Sequence, residues 1–179
     1  MLDDTAWVDH VSDWVEAPAS LFELVVAEAP WTRRTVRMYD RMVAEPRLTA
    51  WYRNPLDDTR LPPALACIAR ALGDRYSRAF DSVGAALYRD GCDSVAWHRD
   101  RIDPAVVDPV VAIVSLGSAR VMRMRPRESR DGRRRSHSFQ LLPGDLFVTG
   151  GLAQRTWEHS VPKVAGAGAR ISLQFRHSH

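Results

Sequence analysis

Two histidines and an aspartate are the side chains of this sequence best suited to chemistry. Ala96-Trp97-His98-Arg99-Asp100 reads as a strand running into a turn, and alternate residues of a strand point to one face. His98 and Asp100 therefore offer an imidazole and a carboxylate side by side. A second histidine, His159, stands in Trp157-Glu158-His159-Ser160-Val161-Pro162. Two imidazoles and one carboxylate on one side of an iron ion leave its other side open for O2 and a chelating cosubstrate. Taken alone, a His-x-Asp pair is a weak signal, since exposed pairs arise by chance. Of the remaining histidines, His10 reads as surface, His137 as hairpin surface after an arginine run, and His177 and His179 as a frayed tail.

Arg170-Ile171-Ser172-Leu173-Gln174-Phe175-Arg176 alternates polar and apolar residues. Arg170, Ser172, Gln174 and Arg176 thus share one face, with Ile171, Leu173 and Phe175 on the other. Two inward arginines are costly unless each meets an anion. A dicarboxylic acid would satisfy both through forked hydrogen bonds. The same pattern also fits a strand with a solvated face; its closeness to His159 favours the inward reading.

These residues need a scaffold. Ser20-Leu21-Phe22-Glu23 has the form of a capping box opening a helix that Pro30 stops. A second helix is expected from about Pro62 to Leu72, with Gly73 ending it. From Asp81 onward, short apolar or alternating runs predict strands at Val83–Tyr88, Val95–His98, Val110–Leu116, Arg120–Met124, Ser136–Leu142, Leu146–Thr149 and Ala169–Arg176. A helical N-terminal third followed by seven or eight strands predicts an α+β, mainly β fold: a double-stranded β-helix, or jelly roll, backed by N-terminal helices. A plain β-sandwich fits the same pattern.

The chain has 179 residues, 45% hydrophobic and 26% charged, which suits one globular domain with a real core. No apolar run approaches the roughly 20 residues of a membrane span, and Met1 to Asp13 does not resemble a signal peptide, so a cytoplasmic protein is expected. Cys67 and Cys92 are the two cysteines, and both read as free thiols. The net charge is +3, and Lys163 is the only lysine among 25 basic residues. Arginine abundance of this kind follows from GC-rich coding, so only clustering is informative. Arg120 to Arg135 holds eight arginines, among them Arg133-Arg134-Arg135 beside Asp131-Gly132. This reads as a basic hairpin able to lie along phosphates, or as a solvated turn with no partner.

Together these residues resemble the AlkB family of nucleic-acid dealkylases, over roughly Val36 to Arg176. The most specific stretch, Tyr88-Arg89-Asp90-Gly91-Cys92-Asp93 followed by His98-Arg99-Asp100, is similar to the Tyr-x-Asp-Gly-Cys-Asp-x4-His-Arg-Asp block of DNA-repairing members. Leu116-Gly117, Gly144-Asp145, the Trp157 to Pro162 segment and the Arg170/Arg176 strand follow in family order. Pro46-Arg47-Leu48-Thr49-Ala50-Trp51-Tyr52 resembles the Pro-Arg strand of a nucleotide-recognition lid, placed at about residues 30–60, ahead of a jelly-roll core at about 81–176.

The resemblance implies that His98, Asp100 and His159 bind Fe(II). Arg170, with Tyr88, would hold the distal carboxylate of 2-oxoglutarate, Arg176 its iron-chelating end, and Ser172 would lie beside it. Trp51 and Trp157 would flank a flipped base, Tyr52 would offer a further aromatic surface, and Tyr39 would occupy the place of an intercalating finger. Arg47 would meet nucleic acid, and the reading of the arginine cluster as a basic hairpin adds Arg120, Arg133, Arg134 and Arg135. Three departures stand out: Ala86 and Ser172 where asparagines are usual, and Arg101-Ile102-Asp103 in place of an acidic run. The implied activity is oxidative demethylation of bases such as 1-methyladenine and 3-methylcytosine in DNA or RNA, with 2-oxoglutarate and O2 consumed and succinate, CO2 and formaldehyde released. The same iron site also fits a hydroxylase or demethylase of a protein, tRNA or small metabolite. A non-enzymatic nucleic-acid-binding barrel is a third reading. No obligate protein partner is indicated.

Overall fold

Strand alternation after Asp81 produces two facing sheets. The computed structural model describes residues 1–38, 40–53, 61–128 and 135–177. In chain order they form β1 (Ala6–Val11), α1 (Pro18–Glu28), β2 (Thr35–Met38), β3 (Arg41–Ala44), β4 (Leu48–Arg53), α2 (Pro63–Tyr76), β5 (Ser82–Tyr88), β6 (Val95–His98), β7 (Val111–Gly117), β8 (Arg120–Pro126), β9 (His137–Leu141), β10 (Leu146–Gly151), α3 (Ala153–Thr156), β11 (Trp157–Val161) and β12 (Arg170–Arg176). A six-stranded sheet runs β1-β10-β7-β12-β5-β4, and a four-stranded sheet runs β6-β11-β8-β9. This is the expected jelly roll, with the helices behind the larger sheet.

Strand β7 shows why. It is buried along nearly its whole length, as a central strand covered on both faces must be. Ala112, Val114 and Leu116 pack toward Leu21 and Val25 of α1 and Leu65 and Leu72 of α2. Val111 and Ile113 turn the other way, toward Met122, Met124, Leu141 and Phe147. Each such aliphatic or aromatic side chain contributes about 1.5–3 kcal/mol on full burial. Among the described residues, no helix is long and apolar enough to cross a membrane.

The N-terminal third is less helical than expected, because it also supplies β1 to β4. β1 pairs with β10, and β4 pairs with β5. Leu48–Arg53, within the stretch read as a lid strand, forms the edge strand of the six-stranded sheet, while β2 and β3 form a separate hairpin. Helix boundaries also differ. α1 begins at Pro18, after Ala17 in the left-handed region, and no side chain caps it; proline fits the first turn, where its missing N–H is not needed. Ser20 is therefore inside the helix. α2 passes through Gly73 to Tyr76 and ends at Ser77, which has φ 52°. The added turn is anchored from outside: the Tyr76 hydroxyl donates to Asp9 at 2.7 Å, and its ring stacks on Trp7.

Candidate metal centre and its cavity

β6 and β11 are antiparallel neighbours, and their register sets His98 opposite His159. The two rings lie 4.2 Å apart, centre to centre. Asp100, two residues beyond β6, places Oδ1 3.8 Å from Nε2 of each histidine. One ligand atom from each residue lies within 4.8 Å of the others. His98 Nδ1 is 2.9 Å from the Ala96 carbonyl oxygen, a contact that orients the ring and leaves Nε2 for a metal. Two nitrogens and a carboxylate oxygen form a donor set suited to iron with open positions.

The surroundings keep these groups in their ligating forms. Burial pushes against ionisation of Asp100, but the Arg176 guanidinium, 3.1 Å from Oδ2, and the two imidazoles hold its pKa down to about 2. Burial lowers the His159 pKa to about 4, with Asp100 offsetting only part of the effect. Near neutral pH the site thus presents a carboxylate and a neutral His159, which a metal can take up without displacing a proton from either.

The polar face of β12 lines the same cavity, of about 1010 Å³. Ile171, Leu173 and Phe175 lie in the core on the helix side. Arg170 is 2% exposed; its Nε donates to Ser115 Oγ at 3.2 Å, and its Nη1 has no hydrogen-bond partner among the described residues. Burial lowers its pKa, Tyr88 opposes that effect, and Arg120 adds to it. Arg176 donates from Nη2 to Gln174 Oε1 at 2.8 Å, whereas its Nε and Nη1 have no hydrogen-bond partner among the described residues. Buried donors without acceptors are costly. An anion with carboxylates at both ends would satisfy Arg170 and Arg176 beside the metal donors, so these residues fit Fe(II) and 2-oxoglutarate. Tyr88 lies against Arg170, ring centre to guanidinium 5.3 Å. Ala86 and Ser172 prove to be cross-strand partners, both buried. The two departures therefore form one small-residue patch in the cavity wall.

The remaining candidates divide. Arg47 and Trp51 line the cavity; the Trp51 indole lies across Gly84, and Arg176 stacks on it at 4.7 Å. Tyr52 does not: it is 1% exposed in the helix-side core, because its neighbour Trp51 takes the cavity face. Trp157 is also misplaced by the sequence reading. It is 4% exposed between the sheets, donating from Nε1 to Asp3 Oδ2 at 2.7 Å, and that partner comes from a chain end the local pattern does not reveal. Arg120 is a third correction. It starts β8 pointing inward, 1% exposed, and donates to the carbonyls of Asp90, Asp93 and Pro162 at 3.2, 2.9 and 2.6 Å. Its charge is consumed in tying the β5–β6 loop to the loop after β11 and does not reach solvent. Arg135 is exposed; Tyr39, Arg133 and Arg134 lie outside the described residues. Sequence reasoning missed Glu45, Arg99 and Arg101, which also line the cavity. The only signal for Glu45 was its adjacency to Pro46-Arg47.

Residues 10–176 match the family model described as the 2OG-Fe(II) oxygenase superfamily. The chain is similar to alpha-ketoglutarate-dependent dioxygenase alkB homolog 3 of Bos taurus, at 31% identity over 172 residues, covering 88% of this chain and 60% of that protein. The Homo sapiens protein of the same name is 30% identical over 180 residues, covering 92% and 61%. DNA oxidative demethylase ALKBH2 of Arabidopsis thaliana is 31% identical over 195 residues, covering 88% and 61%. The chain thus spans about three fifths of the length of these relatives. Among solved structures, that of OsALKBH1 superposes with a TM-score of 0.67, covering 94% of this chain and 97% of that one at 13% identity, a likeness of fold.

Proposed function

The chain belongs to the AlkB family within the 2OG-Fe(II) oxygenase superfamily, and from that premise we propose that it oxidatively removes alkyl groups from ring nitrogens of bases in DNA or RNA, 1-methyladenine and 3-methylcytosine among them. One observation carries the reading. A single cavity holds the His98, Asp100 and His159 donors together with two buried arginines, Arg170 with Nη1 and Arg176 with Nε and Nη1 lacking acceptors among the described residues. The names of the relatives, an alkB dioxygenase and a DNA oxidative demethylase, supply the substrate class.

When bound, Fe(II) with 2-oxoglutarate and O2 supplies oxidation of an N-methyl carbon, giving succinate, CO2 and, once the hydroxylated carbon leaves, formaldehyde. The chain's own part is positioning. His98, Asp100 and His159 hold the metal. Arg170 takes the distal carboxylate of the cosubstrate, with Tyr88 and Ser115 fixing the guanidinium. Arg176 binds Asp100 through Nη2 and offers its free N–H groups toward the chelating end. Ser172 and Ala86 leave room between them. Trp51 and Arg47 stand where a base taken out of its stack would enter, and stacking on an aromatic ring is worth about 1–3 kcal/mol per base.

The test is incubation of the protein with Fe(II), ascorbate, 2-oxoglutarate and an oligonucleotide carrying 3-methylcytosine, with mass spectrometry of the oligonucleotide. Methyl loss is expected, and a His98→Ala variant should show none. Succinate formation with every methylated base left intact would retain the oxygenase and dismiss base dealkylation.

A further inference from the structure

We propose that Glu45 selects positively charged alkylated bases by accepting a hydrogen bond from their exocyclic amino group. The inference rests on base dealkylation as the reaction and names the substrate feature that the cavity reads. Alkylation at N1 of adenine or N3 of cytosine leaves the ring cationic, with an amino donor beside the alkylated nitrogen. Alkylation at N3 of thymine leaves a neutral ring with a carbonyl acceptor in that place.

The wall of this cavity is a poor host for a cation. Arg34, Arg47, Arg99 and Arg101 line it in addition to Arg170 and Arg176. Like charges around one cavity disfavour entry of a cation unless a carboxylate compensates. Three carboxylates line the wall: Glu45, Asp81 and Asp100. Asp100 is paired with Arg176 and stands among the metal donors. Asp81 has an interaction of its own, and it sits just before β5 with its N–H donating to the Arg176 carbonyl at 3.0 Å. Asp103, the acid nearest the metal donors in sequence, turns to its own loop, accepting from the Ala105 N–H at 2.8 Å, and does not line the cavity.

Glu45 is left, and its Oε2 is an open acceptor. That oxygen is buried and, among the described residues, accepts no hydrogen bond. Among the described residues it forms an ion pair with Arg47, whose Nη2 is 3.7 Å away, close enough for charge pairing but too far for a hydrogen bond. The backbone holds the residue in place, since the Glu45 N–H donates to the Arg34 carbonyl at 2.8 Å. A buried carboxylate oxygen with no donor is costly, and the amino group of a cationic base supplies both the missing proton and the matching charge. A base presenting a carbonyl at that point would set oxygen against oxygen.

The experiment compares wild type with Glu45→Gln on matched oligonucleotides bearing 3-methylcytosine or 3-methylthymine. It measures kcat/KM for methyl loss and, with metal-free protein, equilibrium binding by fluorescence anisotropy. Glutamine keeps the shape, removes the charge and adds an N–H donor for the thymine carbonyl. The expected result is a fall of at least about tenfold on 3-methylcytosine with no loss on 3-methylthymine, and a parallel weakening of 3-methylcytosine binding alone; discrimination lost through an unmatched buried polar group is at least of this size. Equal falls on both lesions, or no change on either, would overturn the assignment of Glu45 while leaving dealkylation in place. Wild-type protein inert on both lesions would overturn the dealkylation reading and this inference with it.

Discussion

At the floor of the cavity Arg170 and Tyr88 are each 2% exposed, and β12 fixes both by pairing Arg170 with Tyr88 on one side and Gly117 on the other. At the mouth Trp51 is 44% exposed, on an edge strand, and Arg99 and Arg101 lie in the open stretch around Asp100. The floor is built from the register of central strands, so its groups cannot shift without unpairing a sheet. The mouth is assembled from a hairpin, an edge strand and a loop, where side chains can change at little cost in stability. The contrast implies a division of labour: the floor sets the oxidative chemistry, and the mouth sets what is oxidised.

The sharpest way to break that division is to remove a metal donor. His98→Ala or Asp100→Ala should weaken metal binding by more than the about 10–100-fold that loss of an outer partner of a ligand costs, and should abolish turnover on every substrate. A metal titration followed by calorimetry checks this. Next comes Arg170→Met, which should raise KM for 2-oxoglutarate by about 100-fold, within the range for stripping one partner from a buried charged contact. All lesions should lose activity in parallel, unlike a variant of the mouth.

A third effect concerns pH and stability without metal. Unfolded His159 binds its proton near 6.5, whereas in the fold it does so only near 4. Between those values the unfolded chain holds more protons, so stability should fall as pH drops from about 6.5 to about 4. Asp100, held near 2 against an ordinary 3.8, extends the loss below pH 3.8. Denaturant titrations across pH check the sign, and His159→Gln should flatten the upper part of the window. The smallest effect belongs to the mouth. Arg101→Ala should weaken oligonucleotide binding regardless of sequence and lower the salt slope by about 0.7–0.9, one phosphate's worth, with KM for 2-oxoglutarate unchanged.

The same division explains what the sequence disclosed. Seven of the eight strands after Asp81 were legible because one or both faces are buried and the period of two survives in the residue pattern. His98, Asp100, Arg170 and Arg176 were legible for that reason, as members of alternating runs. β1 and β11 were not, since Trp7 to Val11 mixes charges into its alternation and Trp157 to Val161 is only five residues long. Arg120, Tyr52 and Trp157 were misread because residue type suggests function, whereas their burial depends on partners distant in sequence, Pro162 and Asp3 among them. Glu45 was overlooked for the converse reason: nothing local shows that its oxygen is enclosed and unmet.

Whether one cavity holds both metal and cosubstrate is tested most directly by anaerobic calorimetric titration of 2-oxoglutarate into Fe(II)-loaded protein. One equivalent should bind, with affinity lost in His159→Ala and in Arg170→Met alike. Binding that is indifferent to both substitutions, or no binding to the wild-type protein, would contradict it.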